Sequence, residues 1–189
     1  MTTAKSLVDE LYEVEGKAEI VNGEIVRMSP TGKWPGRVAS KILRSLLRYE
    51  DDHNDGYAFG DNIGFLVNLP HRNSFSPDVA WYAGELGDAD DPDALDFIFG
   101  PPTFAVEVRS KNDYGRKAEG KISAKIADHF MAGTLAVWDV DLRSPEPIKL
   151  YLASDPANPI AFRRGELAHA EPVLPGWTFP VDDLFSKRR

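Results

Sequence analysis

A strand–helix–strand pattern in the second half of the chain constrains the fold most. The segment 104–110, FAVEVRS, alternates apolar and polar residues as a buried strand does. An amphipathic segment 114–132 follows and ends at Gly133, a typical residue for stopping a helix. The segment 135–141, LAVWDVD, is again typical of a strand. Two strands joined through a helix favour an α/β or α+β layered fold over a pure β-sandwich.

β-Hairpins are predicted at both ends of the chain. Near the start, the segment 18–28 carries two alternating runs around Asn22-Gly23, a dipeptide typical of a type I′ turn. Amphipathic patterns predict helices over 5–13 and from Pro35 to about His53. Further extended segments are predicted at 57–68, 75–82, 148–152, 159–163 and 166–170.

The composition excludes several classes of protein and site. The 189 residues contain no internal repeat or low-complexity linker, so we expect one domain, 1–189. The absence of cysteine excludes disulfides, a cysteine-ligated zinc or iron–sulfur site and a thiol nucleophile. Neither a signal pattern nor an apolar run of about 18 residues is present, so we expect a cytoplasmic protein without a membrane partner.

The net charge of −8 argues against tight, non-specific binding of nucleic acid. The charge is uneven along the chain, however. Acidic residues concentrate between Asp88 and Asp96, which we interpret as a solvated loop, whereas Arg109 to Lys125 is locally basic. The whole-chain charge is therefore a poor guide to the field around any one site.

Two acidic residues stand in apolar strands, where a carboxylate is costly to bury. Asp78 follows Pro77 at the start of the strand VAWY, and Glu107 lies inside FAVEV. Such a carboxylate loses hydration unless a cation or hydrogen-bond donors compensate it. Each acid alone is equally compatible with an exposed strand edge or a buried ion pair. Together they can converge at one end of a sheet and hold a divalent cation, and oxygen ligands suit Mg²⁺ or Mn²⁺.

A row of basic residues runs along the predicted helix 114–132. The members of this row, which recur at every fourth position, are Lys117, Lys121, Lys125 and His129. Because the row borders the apolar face, a lysine in it can lay its stem along apolar surface and bring its ammonium to the two carboxylates. A solvated basic face explains the same spacing, so the row alone does not define a site.

The order of these motifs resembles the PD-(D/E)XK nuclease superfamily and, within it, the Uma-type restriction endonuclease family. The likeness covers nearly the whole chain and implies a mixed sheet flanked by helices with a site at one edge. The residues that carry it are Pro77-Asp78, Glu107-Val108-Arg109-Ser110, the helix ending at Ala132-Gly133, the strand Val137 to Asp141, the opening hairpin Glu19 to Ile25 with Met28-Ser29-Pro30, and the closing segments Leu174-Pro175-Gly176-Trp177 and Asp183-Leu184-Phe185.

The resemblance also implies roles for individual residues. Asp78 and Glu107 correspond to the metal-binding acids, and the Val108 carbonyl is a further expected ligand. Glu19 matches an acidic residue that could bind the metal through water. Arg109 stands where many superfamily members have lysine, and a guanidinium cannot titrate as a base.

In the Uma-type family the lysine comes instead from the helix, eight residues before its terminal glycine. Counting back from Gly133 gives Lys125, with Lys121 as the alternative one turn earlier. The chain departs from the family at Pro35, where histidine is frequent, and at His129, where tyrosine is frequent. Neither departure removes the set Asp78, Glu107 and Lys125.

The expected function is metal-dependent hydrolysis of phosphodiester bonds with Mg²⁺ or Mn²⁺, DNA being the expected substrate. Phosphate contacts are expected from Arg109, Arg116 and Lys117. Two alternatives stay open: a non-catalytic binding or regulatory module, and a hydrolase of RNA or small nucleotides. A homodimer is expected because cutting both strands of a duplex needs two sites, and because Trp34 and Phe75 have no assigned partner.

Overall fold

The computed structural model describes residues 5–186, which form three α-helices, one 3₁₀ helix and thirteen strands. The helices are α1 (Leu7–Tyr12), α2 (Lys33–Asp52), α3 (Arg116–Ala132) and the 3₁₀ helix Val181–Leu184. The strands are β1 (Ala18–Val21), β2 (Glu24–Arg27), β3 (Tyr57–Phe59), β4 (Phe65–Leu69), β5 (Arg72–Phe75), β6 (Val79–Tyr82), β7 (Ile98–Phe99), β8 (Phe104–Val108), β9 (Ala136–Val140), β10 (Ile148–Leu152), β11 (Asp155–Phe162), β12 (Leu167–Ala170) and β13 (Leu174–Pro180).

The strands form three sheets. The largest has the order β11-β10-β9-β8-β6-β3, in which β8 and β9 are parallel and the other neighbours antiparallel. The second has the order β2-β1-β5-β4-β7 and ends in a parallel pair, β4 and β7. Strands β12 and β13 form a separate hairpin. Within residues 5–186 no helix is long and apolar enough to cross a membrane.

The six-stranded sheet is covered on both faces. On one face, α2 and the β12–β13 hairpin pack against large apolar side chains such as Trp81, Phe104 and Trp138. On the other face, Ile126 of α3 packs against the small side chains of Ala105 and Val137. Alternating residues of β8 therefore belong to different cores, as the period of two in a strand requires.

This alternation places Glu107 on the face of the sheet that α3 covers. Ala105 and Glu107 are two residues apart on β8, so their side chains share a face. In the antiparallel register of β6 and β8, Val79 pairs with Val106. One residue before β6, the Asp78 N–H donates to the Val106 carbonyl. Asp78 consequently lies opposite Glu107, on the same face of the sheet.

The predicted α+β class is confirmed, with mixed sheets, flanking helices and a hairpin at each end of the chain. The opening turn is as predicted, because Asn22 and Gly23 both have positive φ. The predicted segment 57–68 is wrong as one extended unit, since residues 60–64 separate β3 from β4. The hairpin between β4 and β5, which turns at Pro70-His71, was not predicted.

Phe75 corrects one part of the argument for a dimer. Its side chain is fully buried, where it packs with Phe65 and Ala80 and stacks on the ring of His129 at a centroid distance of 4.0 Å. Phe75 therefore has partners inside the chain and cannot contribute to a dimer interface. Trp34, by contrast, is half-buried.

Two glycines of α3 allow a matched test of backbone conformation. Gly133 ends the helix with φ 112°, and a Cβ there would lie 3.4 Å from Pro101 Cγ. Gly120 lies inside the helix with open space around a Cβ. We expect Gly133→Ala to lower the free energy of unfolding by about 1–2 kcal/mol. Gly120→Ala should raise it by about 0.5–1 kcal/mol, measured by urea unfolding. The same sign for both variants would contradict the assigned helix end.

Candidate active site

A cleft of about 670 Å³ opens beside the ends of β6 and β8. Asp78 and Glu107 line it from the sheet, and Lys125 lines it from α3. Lys17, from the segment before β1, forms part of the same wall. Four elements that are distant in the sequence thus supply charged groups to one concave surface.

Asp78 is held by one cation and one backbone donor. Lys17 Nζ lies 2.7 Å from Asp78 Oδ1 and 2.7 Å from Asp61 Oδ1, so it bridges two carboxylates. The Val108 N–H donates to Asp78 Oδ2 at 2.7 Å. Burial raises the pKa of Asp78 above its ordinary value; Lys17 opposes this shift and the charge of Glu107 adds to it.

Glu107 is held by Lys125 and His129, which lie one turn apart on α3. Lys125 Nζ is 2.8 Å from Glu107 Oε2, and His129 Nε2 is 3.1 Å from Oε1. Burial alone would raise the pKa of Glu107, but the charge of Lys125 and the hydrogen bond from His129 outweigh it and lower the pKa to about 2. Glu107 is therefore ionised at neutral pH.

His129 is buried between Glu107 and the ring of Phe75. Burial lowers its pKa below the ordinary value, and Glu107 only partly opposes this shift. A neutral imidazole with the proton on Nε2 donates to Glu107 and leaves Nδ1 facing the Thr134 hydroxyl at 3.4 Å. His129 thus fixes the orientation of Glu107 without bringing a full charge to it.

A second layer of charges lies beneath Lys125. Glu19 Oε1 is 3.0 Å from Lys125 Nζ, and Glu19 Oε2 accepts from Arg72 Nη1 at 2.6 Å. Arg72 also donates from Nε to Asp128 Oδ2 at 2.8 Å, and His71 Nε2 lies 2.7 Å from Asp128 Oδ1. Because Arg72 joins β5 to β1 and to α3, it fixes the helix that carries Lys125 against the second sheet.

Lys125 is a charged group in this environment. Burial would lower the pKa of its ammonium, but Glu107 and Glu19 outweigh burial and hold the pKa above its ordinary value. A lysine that stays protonated can donate hydrogen bonds and stabilise negative charge. It cannot take a proton from water at neutral pH.

The structure separates the predicted residues into those that meet and those that do not. Asp78, Glu107, Val108 and Lys125 line the cleft together. Lys121 lines the outer part of the cleft but is exposed and makes no ion pair within residues 5–186. Glu19, predicted as a water-mediated metal ligand, is 3% exposed, and its two oxygens contact Arg72, the Ser76 N–H and Lys125.

The predicted phosphate contacts stay predictions, and the structure shows where these three residues lie. Arg109 forms a bidentate pair with Asp139 at 2.8 and 2.7 Å and also bonds Glu119, so its guanidinium is already neutralised. A phosphate at Arg109, which lines the cleft, would share the guanidinium with these carboxylates. Arg116 and Lys117 are exposed on the first turn of α3 and do not line the cleft.

Two residues of the site, Lys17 and Arg72, were not predicted, and neither was the contact of His129 with Glu107. The sequence could have predicted Lys17, because it stands two residues before Glu19 and the alternation of a strand puts both side chains on one face. His129 was identified as a member of the basic row, and the structure shows it buried against Glu107 instead of exposed. Arg72 carried no comparable signal, since its partners are 53 and 56 residues away in the chain.

The donor set fits a small divalent cation that keeps part of its water shell. The two facing carboxylates and the backbone of Val108 offer the hard oxygen ligands that Mg²⁺ and Mn²⁺ take. Within residues 5–186, no group of three or more His, Cys, Asp or Glu side chains is close enough to hold a metal alone. Mg²⁺ does not require such a group, because one or two carboxylates with water and phosphate oxygens suffice.

One solved structure shares the fold of this chain over nearly its whole length. The crystal structure of "a putative nuclease belonging to DUF820" from Anabaena variabilis matches the chain with a TM-score of 0.71 at 16% sequence identity. The match covers 94% of this chain and 96% of that chain. At this identity the likeness shows the fold, and the chain has a nuclease-like α+β fold.

Residues 8–182 match the Uma2 family, which is described as "Putative restriction endonuclease". Because the match spans most of the chain, the protein belongs to the Uma2 family. A comparison with curated proteins finds no match. The resemblance inferred from the motifs is confirmed, and family and fold together support a nuclease.

The charge layer beneath Lys125 predicts a large effect for one substitution. Arg72→Met leaves Glu19 and Asp128 buried with fewer donors, so we expect the free energy of unfolding to fall by about 3–5 kcal/mol. Arg163→Met removes a surface pair with Glu146 and serves as the control, for which the urea midpoint should hardly move. Equal midpoints for the two variants would contradict a structural role of Arg72.

Proposed function

We propose that the protein is a metal-dependent nuclease that hydrolyses phosphodiester bonds of nucleic acid, with DNA as the expected substrate. The observation that carries this proposal is the convergence of Asp78, Glu107 and Lys125 at one cleft, from two strands and a helix. Family and fold supply the reaction class. Two facing carboxylates and one ammonium supply the groups that phosphodiester hydrolysis needs.

Asp78 and Glu107 would hold Mg²⁺ or Mn²⁺, together with the backbone at Val108. When bound, the cation polarises the scissile phosphate and lowers the pKa of a water molecule. The chain's part is to keep Glu107 ionised and to orient both carboxylates. The Val108 N–H orients Asp78, and His129 orients Glu107. Lys17 neutralises part of the charge of Asp78 and has Asp61 as a second partner at the same distance.

Lys125 would act as a fixed positive charge. Its ammonium projects into the cleft from a base formed by Glu107 and Glu19, so it can orient a water molecule or stabilise charge on the phosphate. Lys121 lies one turn farther out and is exposed, a position from which it could contact a neighbouring phosphate. Lys125 is therefore expected to contribute more to catalysis than Lys121.

A homodimer stays a prediction after the loss of Phe75 from its argument. Cutting both strands of a duplex still calls for two sites, and twofold dimers are the commonest oligomers. A protein that cuts a single strand does not need a second copy. Oligomeric state and substrate form are therefore linked questions for this protein.

Cleavage assays with Mg²⁺ and Mn²⁺ on single-stranded and duplex DNA and on RNA test the proposed function. Metal-dependent product formation that disappears with EDTA supports it. Metal binding without cleavage of any nucleic acid would favour a non-catalytic module. Turnover of mononucleotides or RNA without cleavage of DNA would favour the second alternative, a hydrolase of RNA or small nucleotides.

Metal binding has its own test. Calorimetric titration with Mn²⁺ should show binding to the wild-type protein and its loss in Asp78→Ala, because the site loses one of its two carboxylates. Asp90→Ala removes a carboxylate from the exposed acidic segment and should leave binding unchanged. Equal affinities for wild type and Asp78→Ala would rule out this metal site.

The two lysines can be separated by paired substitutions. Lys125→Ala should lower kcat by about 100-fold or more while sparing Mn²⁺ affinity, because a buried charge near the reacting phosphate is lost. Lys121→Ala should lower kcat by less than about fivefold, as an exposed phosphate contact would. Circular dichroism checks folding of both. The reverse ranking would move the catalytic lysine one turn along α3.

A further inference from the structure

A second cleft adjoins the proposed active site and is lined by a different kind of surface. It encloses about 500 Å³, within the range of small-molecule sites. Gly32, Arg109, Ser110 and Lys111 line both clefts, so the two are continuous. A chain bound across Asp78 and Glu107 can therefore extend directly into the second cleft.

The walls of the second cleft combine aromatic rings with cations. Trp34, Tyr114 and Phe185 contribute the rings. The cations are Lys33, Lys111 and Arg143. None of these three contacts a carboxylate through its side chain within residues 5–186, although the protein carries a net charge of −8. The cleft therefore presents uncompensated positive charge beside flat apolar surfaces.

Two of the rings, Tyr114 and Phe185, are already held in place. Phe185 packs against the main core, and the Arg164 guanidinium lies 4.3 Å from its ring centroid. The Tyr114 hydroxyl donates to Asp141 Oδ1 at 2.9 Å, and the Arg143 guanidinium lies 4.3 Å from the Tyr114 ring centroid. Asp141 and Asp113 are the nearby acids, and each accepts hydrogen bonds from within the chain. Trp34 stands on the first turn of α2, is half-buried, and makes no side-chain hydrogen bond within the described residues. Its ring is the available stacking surface.

We propose that this cleft binds an unpaired nucleotide of the substrate strand, with its base stacked on Trp34 and its phosphates near Lys33 and Lys111. This inference rests on the proposed function, because it places the nucleotide next to the phosphate that a cation at Asp78 and Glu107 would bind. Aromatic side chains beside cations are the surface that single strands bind, since every base offers a flat face. A paired base is stacked inside its duplex and cannot reach such a ring without being flipped out. The ligand class is thus single-stranded nucleic acid.

Binding can be measured apart from cleavage, in EDTA, by fluorescence anisotropy with a short labelled DNA strand of mixed sequence. The wild-type protein should bind the strand more tightly than its duplex. Trp34→Ala should weaken strand binding about tenfold, and Trp34→Phe should retain most of it because a stacking ring is kept. Phe99→Ala removes an exposed aromatic side chain from a cleft elsewhere and should bind as wild type does. Equal affinities of wild type and Trp34→Ala would overturn the proposal.

A strand of abasic nucleotides separates stacking from phosphate contact. The abasic strand keeps the phosphate charges but has no bases, so the protein should bind it much more weakly than the normal strand. Undiminished binding of the abasic strand would overturn the proposed stacking of a base on Trp34. An RNA strand of the same sequence reports which sugar the cleft prefers, and weakening of either strand by Trp34→Ala supports the proposal. If the protein binds the strand through Trp34 but does not cleave it in Mn²⁺, the result would count against the proposed function and not against the binding cleft.

Tryptophan fluorescence gives a readout that does not depend on affinity. The chain has four tryptophans, and Trp81, Trp138 and Trp177 are at most 3% exposed. Quenching by acrylamide therefore reports mainly on Trp34. Saturating strand should reduce that quenching, whereas unchanged quenching at saturation would show that the strand binds elsewhere and would overturn the proposal.

Discussion

The carboxylates of Asp78 and Glu107 face each other across two neighbouring strands of an apolar sheet, and their charge has to be compensated inside the protein. The register of β6 and β8 fixes this juxtaposition through the backbone, so neither acid can move away from the other. The compensating cations come from elsewhere: Lys17 is 61 residues from Asp78, and Lys125 is 18 residues from Glu107. The charges of Asp78 and Glu107 are therefore compensated only when α3 and the segment before β1 pack against the sheet. The same packing brings the residues of the candidate site together.

The compensation extends beyond one pair because the cations are themselves partly or fully buried. Lys125 lies between Glu107 and Glu19, Glu19 also bonds Arg72, and Arg72 reaches Asp128. An alternating series of charges is favourable only while every member is present, since a lone buried charge costs several kcal/mol. The series has a chemical consequence as well. Lys125 keeps its proton because two carboxylates hold it, so any proton transfer from water has to end elsewhere.

Local patterns predicted those features that depend on local physics. The alternation of FAVEV and the spacing of the α3 residues placed Glu107 on a buried strand and Lys125 on the helix behind it, and Gly133 marked the helix end. The β4–β5 hairpin was missed because its turn, Pro70-His71, lacks the Asn-Gly signature that identified the first hairpin. Arg72 was missed for a different reason: an ion pair between residues more than 50 positions apart leaves no periodic trace in a single sequence. Motif order supplied the topology that periodicity could not.

The distribution of charge explains how an acidic protein can present a surface to nucleic acid. Five of the thirty acidic residues lie on the exposed segment from Asp88 to Asp96, and the acids near the two clefts are bonded to cations or backbone donors. Lys33, Lys111 and Arg143 keep their charge free beside Trp34. Three cations can neutralise only a few phosphates, so counterion release contributes less here than on a broadly basic protein. Stacking is short-ranged and insensitive to a distant negative charge, so it would supply most of the affinity in the proposed binding of a single strand. Under that proposal, an aromatic cleft next to the carboxylates would let an acidic protein bind its substrate without a basic surface.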